Sequence, residues 1–397
     1  MVRVCFISPE YLPLSGGTGS YVYYLSNELM KHGNSAYIVT GYDESGDVKV
    51  NEQHCIFFLK TLKMPIVKSF QFAASASRKL SKMRGRLPVD ITHVNLPLVP
   101  SFAVPSSFGK ALISTVHSTW KGEAEAIKSE PYSRLNANEK FMVSFNWFLR
   151  FFEERMLERS NRIIAVSDFT RRELLQYYPV KAAKIRVIHN GVDTSKFKPA
   201  DDKLKAKAEL GLSTVDKAIL SVGRLYARKG LFTLIESAAL VTNKFRNVKF
   251  IIAGKGLSNE MAKLVNYAEK LAVKENLVFT GYFPDKKLPR LYQAADIFAF
   301  STFYENLPFA VLEALSTGLP VVTTRVGGIP EMIESGRNGF LVEPFNSREL
   351  AAKILFYLEH PATAAEMALS ARKTIEARFD WRLIVKKVLA VYDEALS

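Results

Sequence analysis

Cysteine is nearly missing: the chain holds two, Cys5 and Cys55, among 397 residues. Two thiols cannot build a metal cluster. Cys5 sits in the strand-like VRVCFIS, so the pair reads as reduced core thiols rather than a disulfide, which suits a cytoplasmic setting. Long apolar runs are missing too. No stretch of about 18 apolar residues occurs, so no membrane-spanning helix is expected. The aromatic stretch 141–152 is interrupted by Asn146 and Arg150 and followed by Glu153 and Glu154. Strand-like residues begin at Val2, so no signal peptide is expected. HExxH, CxxC and paired-aspartate metal motifs are absent, as is the GxSxG nucleophile elbow. Catalysis is therefore expected to use neither a bound metal nor a serine nucleophile. No GxGxxG or Walker A loop occurs, and no short-period repeat.

What is present is an ordinary globular balance, 48% hydrophobic and 23% charged, which argues against disorder. The length exceeds what one hydrophobic core usually serves and favours two domains. The net charge of +15 implies an anionic partner, and nucleic acid, anionic lipid and phosphorylated small molecules all satisfy it.

Short β-branched runs alternate with longer helical patterns. Strands are expected at 2–8, 35–40, 91–95, 112–117, 162–167, 185–189, 218–223, 248–253, 277–280, 297–301 and 320–324. Helices are expected between them, notably at 18–32, 68–83, 138–159 and 168–177. Continuous apolar strands separated by helices mean parallel sheets covered on both faces, an α/β architecture of two doubly wound domains. The alternation breaks near 190–215, a polar stretch with Pro199, where a linker is expected. This divides the chain into domains 1–195 and 196–378. The amphipathic segment 379–397 has no strand after it and is expected to return to the first domain.

Ligands of open parallel sheets bind at the carboxyl ends of strands, so the strand-to-helix loops are where chemistry is expected. After the first strand, SGGTGSYV places Gly16 and Gly17 at a helix start, where backbone N–H groups and the helix terminus suit an anion. A plain flexible turn has the same composition. In VGRLYARKG, Arg224 and Lys229 precede a helix beginning near Leu231, flanked by Gly223 and Gly230. Two cations at a helix N-terminus can neutralise a diphosphate, though surface cations are the commoner reading of any Arg and Lys. After strand 297–301, Glu305 falls in a loop. Pro308 is placed as the first helical residue, with Asn306 or Leu307 near the cap, and Glu313 lies inside the helix. One carboxylate near the loop and one along the helix could meet two parts of a ligand, and a carboxylate accepting two adjacent hydroxyls is how a ribose is held. The alternative is a loop charge plus a helix-surface charge. His117 ends the strand of LISTVHSTW, where a side chain faces the crevice, and a structural histidine is the competing reading.

Taken together, SGGTGSYV, RIIAVSDFTRREL, NGVD, VGRLYARKG, ENLPFAVLEALSTGLPVVTTRVGGIPE and the final FDW-containing helix resemble the retaining glycosyltransferases of family 4 over nearly the whole chain. The resemblance implies the GT-B fold, two Rossmann-like domains facing across a cleft that closes on the diphosphate of a nucleotide sugar. It implies that Glu305 and Glu313 are the family's two glutamates spaced by seven residues. Glu313 would hold the ribose, and Glu305 would contact the transferred sugar. The backbone of Asn306, Leu307, Pro308 and Phe309 would bind sugar hydroxyls or phosphate, and Arg224 and Lys229 would stabilise the leaving diphosphate. Gly16 and Gly17 would close over the phosphates, and His117 would lie near the sugar. Ser118 stands where the family often has an acidic residue, and Asn306 where it often has glycine. Both touch the sugar side, so donor identity stays more open than reaction type.

The implied reaction transfers a hexosyl unit from a UDP- or GDP-sugar with retention and without an essential metal. The leaving phosphate would accept the acceptor's proton, and each cation removed would cost about 2–4 kcal/mol of barrier. The acceptor is lipid, glycan or small molecule. Between Glu52 and Asp90 stand eight Lys and Arg (Lys60, Lys63, Lys68, Arg78, Lys79, Lys82, Arg84, Arg86) and no acid. A basic amphipathic helix there would touch an anionic membrane surface peripherally, from the cytoplasmic side. A solvated helix face is the other reading. Three rivals keep their place at this point: a nucleotide-sugar epimerase of the same fold, a nucleic-acid-binding protein, and a sugar-nucleotide sensor without activity. The basic surplus, +8 over 1–195 and +7 over 196–397, is shared evenly, and no nucleic-acid module or basic tail is recognised.

Overall fold

The runs that read as strands are apolar on both faces, and they pair in parallel with helices covering them. In the computed structural model, residues 1–11, 16–42, 45–51, 53–61, 65–106, 108–128 and 130–397 are described. Leu12–Ser15 of the first glycine loop, together with Glu52 and Lys63 at the basic stretch, lie outside the described residues. The chain divides into two units. Unit 1 comprises Met1–Lys128, Ala137–Asn190 and Trp381–Ser397, and unit 2 comprises Ser129–Asn136 and Gly191–Asp380.

Unit 1 holds an eight-stranded sheet. Its strands are β1 (Arg3–Ser8), β2 (Ser35–Tyr42), β3 (Gly46–Asn51), β4 (His54–Lys60), β5 (Ile91–Leu96), β6 (Ala111–Val116), β7 (Arg162–Ala165) and β8 (Ile185–Val187). They lie in the order β3-β4-β2-β1-β5-β6-β7-β8. β1 is central: Cys5 pairs with Tyr37 of β2 on one side and Thr92 of β5 on the other. Every pair is parallel except one. β3 runs antiparallel to β4, which corrects the expectation of a purely parallel sheet. The reason is local, since β3 is an exposed edge strand and two residues separate it from β4, too few for a crossover helix. The helical pattern expected over 138–159 is two helices, Ala137–Ser144 and Asn146–Arg159. Phe145 between them leaves the helical range, at φ −111° and ψ 22°.

The final helix, Trp381–Leu396, packs in unit 1 against the helix Gly17–Lys31 and β6. Trp381 is buried and lies stacked on Tyr24, ring centroids 6.1 Å apart. Burying one such large side chain stabilises by roughly 1.5–3 kcal/mol. Tyr392 reaches His93 on β5, its hydroxyl 2.6 Å from Nδ1, while His93 Nε2 lies 2.6 Å from Thr115 Oγ1.

Unit 2 holds a six-stranded, wholly parallel sheet of β9 (Lys217–Val222), β10 (Val248–Ala253), β11 (Leu277–Gly281), β12 (Ile297–Phe300), β13 (Val321–Thr324) and β14 (Phe340–Val342). The order β11-β10-β9-β12-β13-β14 is the 3-2-1-4-5-6 arrangement of a doubly wound dinucleotide-type domain. The order reverses between β9 and β12, so a crevice opens at their carboxyl ends. The polar stretch 190–215 is anchored to this unit. Phe197 is buried, Lys207 pairs with Asp296 at 2.7 Å, and Arg372 donates to the carbonyls of Thr194 and Phe197 at 2.9 and 2.7 Å.

Candidate active site

β9 and β12 are neighbours, with Phe298 beside Leu220, so the loops leaving them lie side by side. The first loop carries Arg224 and Lys229, the second Glu305 to Pro308. Hydrogen bonds sew them together. Ser301 Oγ donates to the carbonyls of Lys229 and Gly230 at 3.1 and 2.8 Å. Thr302 Oγ1 and the Phe303 N–H both donate to the Arg228 carbonyl at 2.9 Å. Two glycines permit this closeness. Gly230 has φ +62°, and a Cβ there would stand 2.0 Å from the Ser301 carbonyl oxygen. Gly327 has φ +57°, and its Cβ would stand 1.4 Å from the Glu305 carbonyl oxygen. No side chain fits either position, so both loops are shaped by glycine.

The charges meet here as well. Lys229 Nζ forms an ion pair with Glu305 Oε1, both side chains almost fully buried, and Arg228 Nη1 lies 3.9 Å from the same oxygen. Lys229 Nζ also sits 5.2 Å over the Phe300 ring. Its stem passes Gly223, where a Cβ would come 3.6 Å from Lys229 Cε. Arg224 is exposed at the loop's start, its Nη1 3.5 Å from the Tyr226 hydroxyl. A helix, Leu231–Thr242, begins directly after Gly230. The arrangement is two cations, a third cation close by and one carboxylate holding Lys229 in place, beside a helix N-terminus that favours negative charge.

The helix after β12 is Phe309–Ser316. Pro308 is its N-cap, at φ −72° and ψ 128°, rather than its first helical residue. The cap residue keeps an extended backbone, which places Asn306 and Leu307 in the buried turn ahead of it. Glu313 lies on this helix, buried, and accepts a hydrogen bond of 2.8 Å from the Tyr292 hydroxyl. Burial pushes its carboxyl up to about 7, against the opposing pull of Tyr292 and Lys196. Glu313 is thus a carboxylate whose charge is costly until further donors reach it.

In unit 1, Gly16 caps and Gly17 opens the helix Gly17–Lys31, whose first turn carries no acidic residue. That helix start can receive an anion. His117 follows β6 immediately, its N–H donating to the Leu96 carbonyl at 3.1 Å. Its Nε2 lies 3.1 Å from Asn95 Oδ1, and Tyr21 packs edge-on at 4.7 Å. Burial lowers the imidazole to about 3, so it is neutral at ordinary pH. The next turn is tied down by Glu153, which accepts from the Tyr178 hydroxyl and from the Trp120 N–H at 3.1 Å. Burial raises Glu153 to about 8.

Unit 2 therefore gathers Arg224, Lys229, Glu305, Asn306, Leu307, Pro308 and Phe309 at one switch point, with Glu313 further along the same helix. Unit 1 carries Gly16, Gly17 and His117 at its own strand ends. Sequence reading missed Arg228, Tyr292, Gly327, Asn95 and Tyr21. Gly327 had a signal, the first glycine of the VGGIPE run, whereas Tyr292 lies in LPRLYQA, where nothing marks it.

Two families match consecutive halves of the chain: Glycosyltransferase Family 4 over residues 15–196 and Glycosyl transferases group 1 over residues 202–374. An uncharacterized glycosyltransferase of Methanocaldococcus jannaschii is 25% identical across 100% of this chain and 99% of its own. Among solved structures, sucrose-phosphate synthase from Thermosynechococcus elongatus superposes with TM-score 0.81 at 20% identity, covering 99% of each chain. Anabaena HepE in complex with UDP-glucose superposes with TM-score 0.76 at 20% identity, covering 99% of this chain and 100% of that one. At such identities the structures share the fold.

Proposed function

The chain belongs to the group 1, family 4 glycosyltransferases, which are nucleotide-sugar-dependent enzymes, and from that premise we propose that it moves a hexosyl unit from a UDP- or GDP-sugar with retention at the anomeric carbon. The observation that carries the donor reading is the pairing at the unit 2 switch point of a cation cluster with a buried, donor-poor carboxylate on the adjoining helix. Arg224 and Lys229 take the diphosphate, and Glu313 takes the ribose hydroxyls. The complex of HepE with UDP-glucose supports uridine over other bases.

In the reaction, the bond between the anomeric carbon and the diphosphate oxygen breaks, and a bond to the acceptor oxygen forms on the same face. The acceptor's proton passes to the departing diphosphate. Arg224, Lys229 and the helix start at Leu231 stabilise the charge that develops there, which is the largest service a fixed site can give. Glu305 holds Lys229 until substrate arrives, then shares it with the phosphate and meets the sugar. The buried turn Asn306–Pro308 and Phe309 line the sugar's position. In unit 1, neutral His117 can offer a ligand hydroxyl a hydrogen bond without adding charge, and the helix start at Gly16 and Gly17 suits an anion.

The acceptor is lipid, glycan or small molecule, and the basic stretch supports an anionic surface as the place of work, on the cytoplasmic face. The helix Pro65–Met83 and the residues after it leave Arg78, Lys82, Arg84 and Arg86 exposed. Lys79 is paired with Asp47. No helix among the described residues is long and apolar enough to cross a membrane.

Thermal stability with UDP, GDP, ADP and their sugar conjugates tests the donor reading. Ligand at about 100-fold over its dissociation constant adds roughly 2.7 kcal/mol. A selective shift for one nucleotide, lost in Glu313→Ala, is expected. No shift with any of them refutes the donor assignment.

A further inference from the structure

The break at Phe145 leaves a row of rings on the surface of unit 1. Phe141 is 36% exposed, Phe145 45%, Trp147 71% and Phe151 50%, all within eleven residues. Phe141 and Phe145 stack at 4.5 Å, and Arg155 lies 5.2 Å over the Phe151 ring. Scattered exposed apolar residues need no explanation, but a contiguous aromatic ridge marks an interaction surface.

Two grooves adjoin the ridge, and both include Trp147 and Arg150. One, of about 660 Å³, is lined mainly by rings: Trp147, Phe148, Phe151 and Phe152, with Arg150 and Glu154. The other, of about 290 Å³, is lined by Lys121, Lys128 and Arg150 along with Glu125. Lys121 and Lys128 share the single Glu125 carboxylate, at 2.5 and 2.9 Å, so this groove is net positive. An apolar trough and a cationic trough meeting at one tryptophan match an amphiphile with an anionic head.

The ridge also continues into the basic helix. Phe70 of Pro65–Met83 stacks on Phe148 at 5.6 Å and meets Phe152 edge-on at 5.3 Å. A second copy of the chain would set its own Lys121, Lys128 and Arg150 against the same cations, which disfavours self-association there.

We propose that the ridge Phe141, Phe145, Trp147 and Phe151 docks on an anionic lipid leaflet, its rings at the headgroup boundary and Lys121, Lys128 and Arg150 beside the headgroups. Aromatic rings favour that boundary, and basic residues near it are drawn to anionic lipid. The transferase would then work on an acceptor presented at that surface, a step that rests on the function proposed above.

Of the three tryptophans, Trp381 is buried and Trp120 half-buried, so Trp147 alone reports on the surface. The full chain is mixed with vesicles of phosphatidylglycerol and phosphatidylcholine, or of phosphatidylcholine alone. The expected result is a blue shift of emission and quenching by brominated lipid with the anionic vesicles only. Co-sedimentation should weaken at least tenfold in Trp147→Ser/Phe151→Ser, and both sites are exposed enough for the variant to fold. Stabilisation by UDP-glucose should be unchanged in that variant, which separates failure of the docking from failure of the donor reading. Equal binding to neutral vesicles, or undiminished binding by the variant, overturns the proposal. So does a concentration-dependent dimer of the wild-type protein that the double substitution abolishes.

Discussion

If Glu313 holds the ribose, nucleotide-sugar binding must depend on pH. Burial places its carboxyl near 7 in the ligand-free protein. Ribose hydroxyls donate to it and favour the ionised form, so binding draws on the ionised fraction. That fraction is about nine-tenths at pH 8 and about one-tenth at pH 6, so affinity should fall about tenfold, or about 1.4 kcal/mol, between them. UDP-glucose is the right probe, because its diphosphate carries no monoester proton titrating in this range. Calorimetric titration at pH 6, 7 and 8 reads the affinity, and buffers of different ionisation enthalpy read the proton released, about half a proton at pH 7. Glu313→Gln should bind more weakly at pH 8 and show a flat profile. The control matters because Glu153, in unit 1, titrates near 8. Equal affinity at pH 6 and 8, or a slope that persists in Glu313→Gln, refutes the reasoning. Stability of the free protein carries the opposite sign. The folded value lies above the ordinary carboxylate value, so folding favours the protonated form. That contribution is fully present below about 4.5 and is lost as pH rises through about 7.

Other expectations follow from the same geometry. Arg224→Ala and Lys229→Ala should each lower turnover about 10²–10³-fold, roughly 2.7–4 kcal/mol, in a sugar-transfer or donor-hydrolysis assay, and normal turnover in both would remove the leaving-group assignment. Gly327→Ala should destabilise unit 2 by at least about 2 kcal/mol in denaturant unfolding, since left-handed backbone alone costs about 1–2 kcal/mol and the methyl would overlap the Glu305 carbonyl. A stability equal to wild type would show that the loop yields freely. Glu153 has its folded value near 8, so stability should fall as pH rises through about 8, and Glu153→Gln should flatten that fall between pH 7 and 9. A wild-type slope in the variant would mean that another group titrates.

The fold was largely legible in the sequence, because strands covered on both faces are written as mostly apolar runs such as VRVCFIS, VKFIIA and IFAF. β4, HCIFFLK, was missed although its run CIFFL carries that signature, and the other misses lacked it. β3, GDVKVN, is an edge strand exposed along its whole length, and its alternation rests on two valines alone, Val48 and Val50, too few to mark a strand. β14, FLV, is three residues long, too short to carry a period. The helix break at Phe145 was hidden because the apolar spacing runs through it on both sides. The pairing of the loops was legible only as a family resemblance. Lys229 and Glu305 stand 76 positions apart, and nothing local to either predicts the other.

The sequence by itself determined most of the strands and helices, where the strand-to-helix loops that carry the site fall, and which residue types those loops carry. These are local matters of period, glycine and charge. Tertiary structure alone decided that β9 lies beside β12, and hence that Lys229 is held by Glu305 while Gly230 and Gly327 press against the loop after β12. It alone decided that Tyr292 reaches Glu313 and that burial lifts that carboxyl toward neutral pH. It also set Phe141, Phe145, Trp147 and Phe151 outward rather than into the core. Strand order, burial and the desolvation that shifts a carboxyl depend on contacts between residues far apart in the chain.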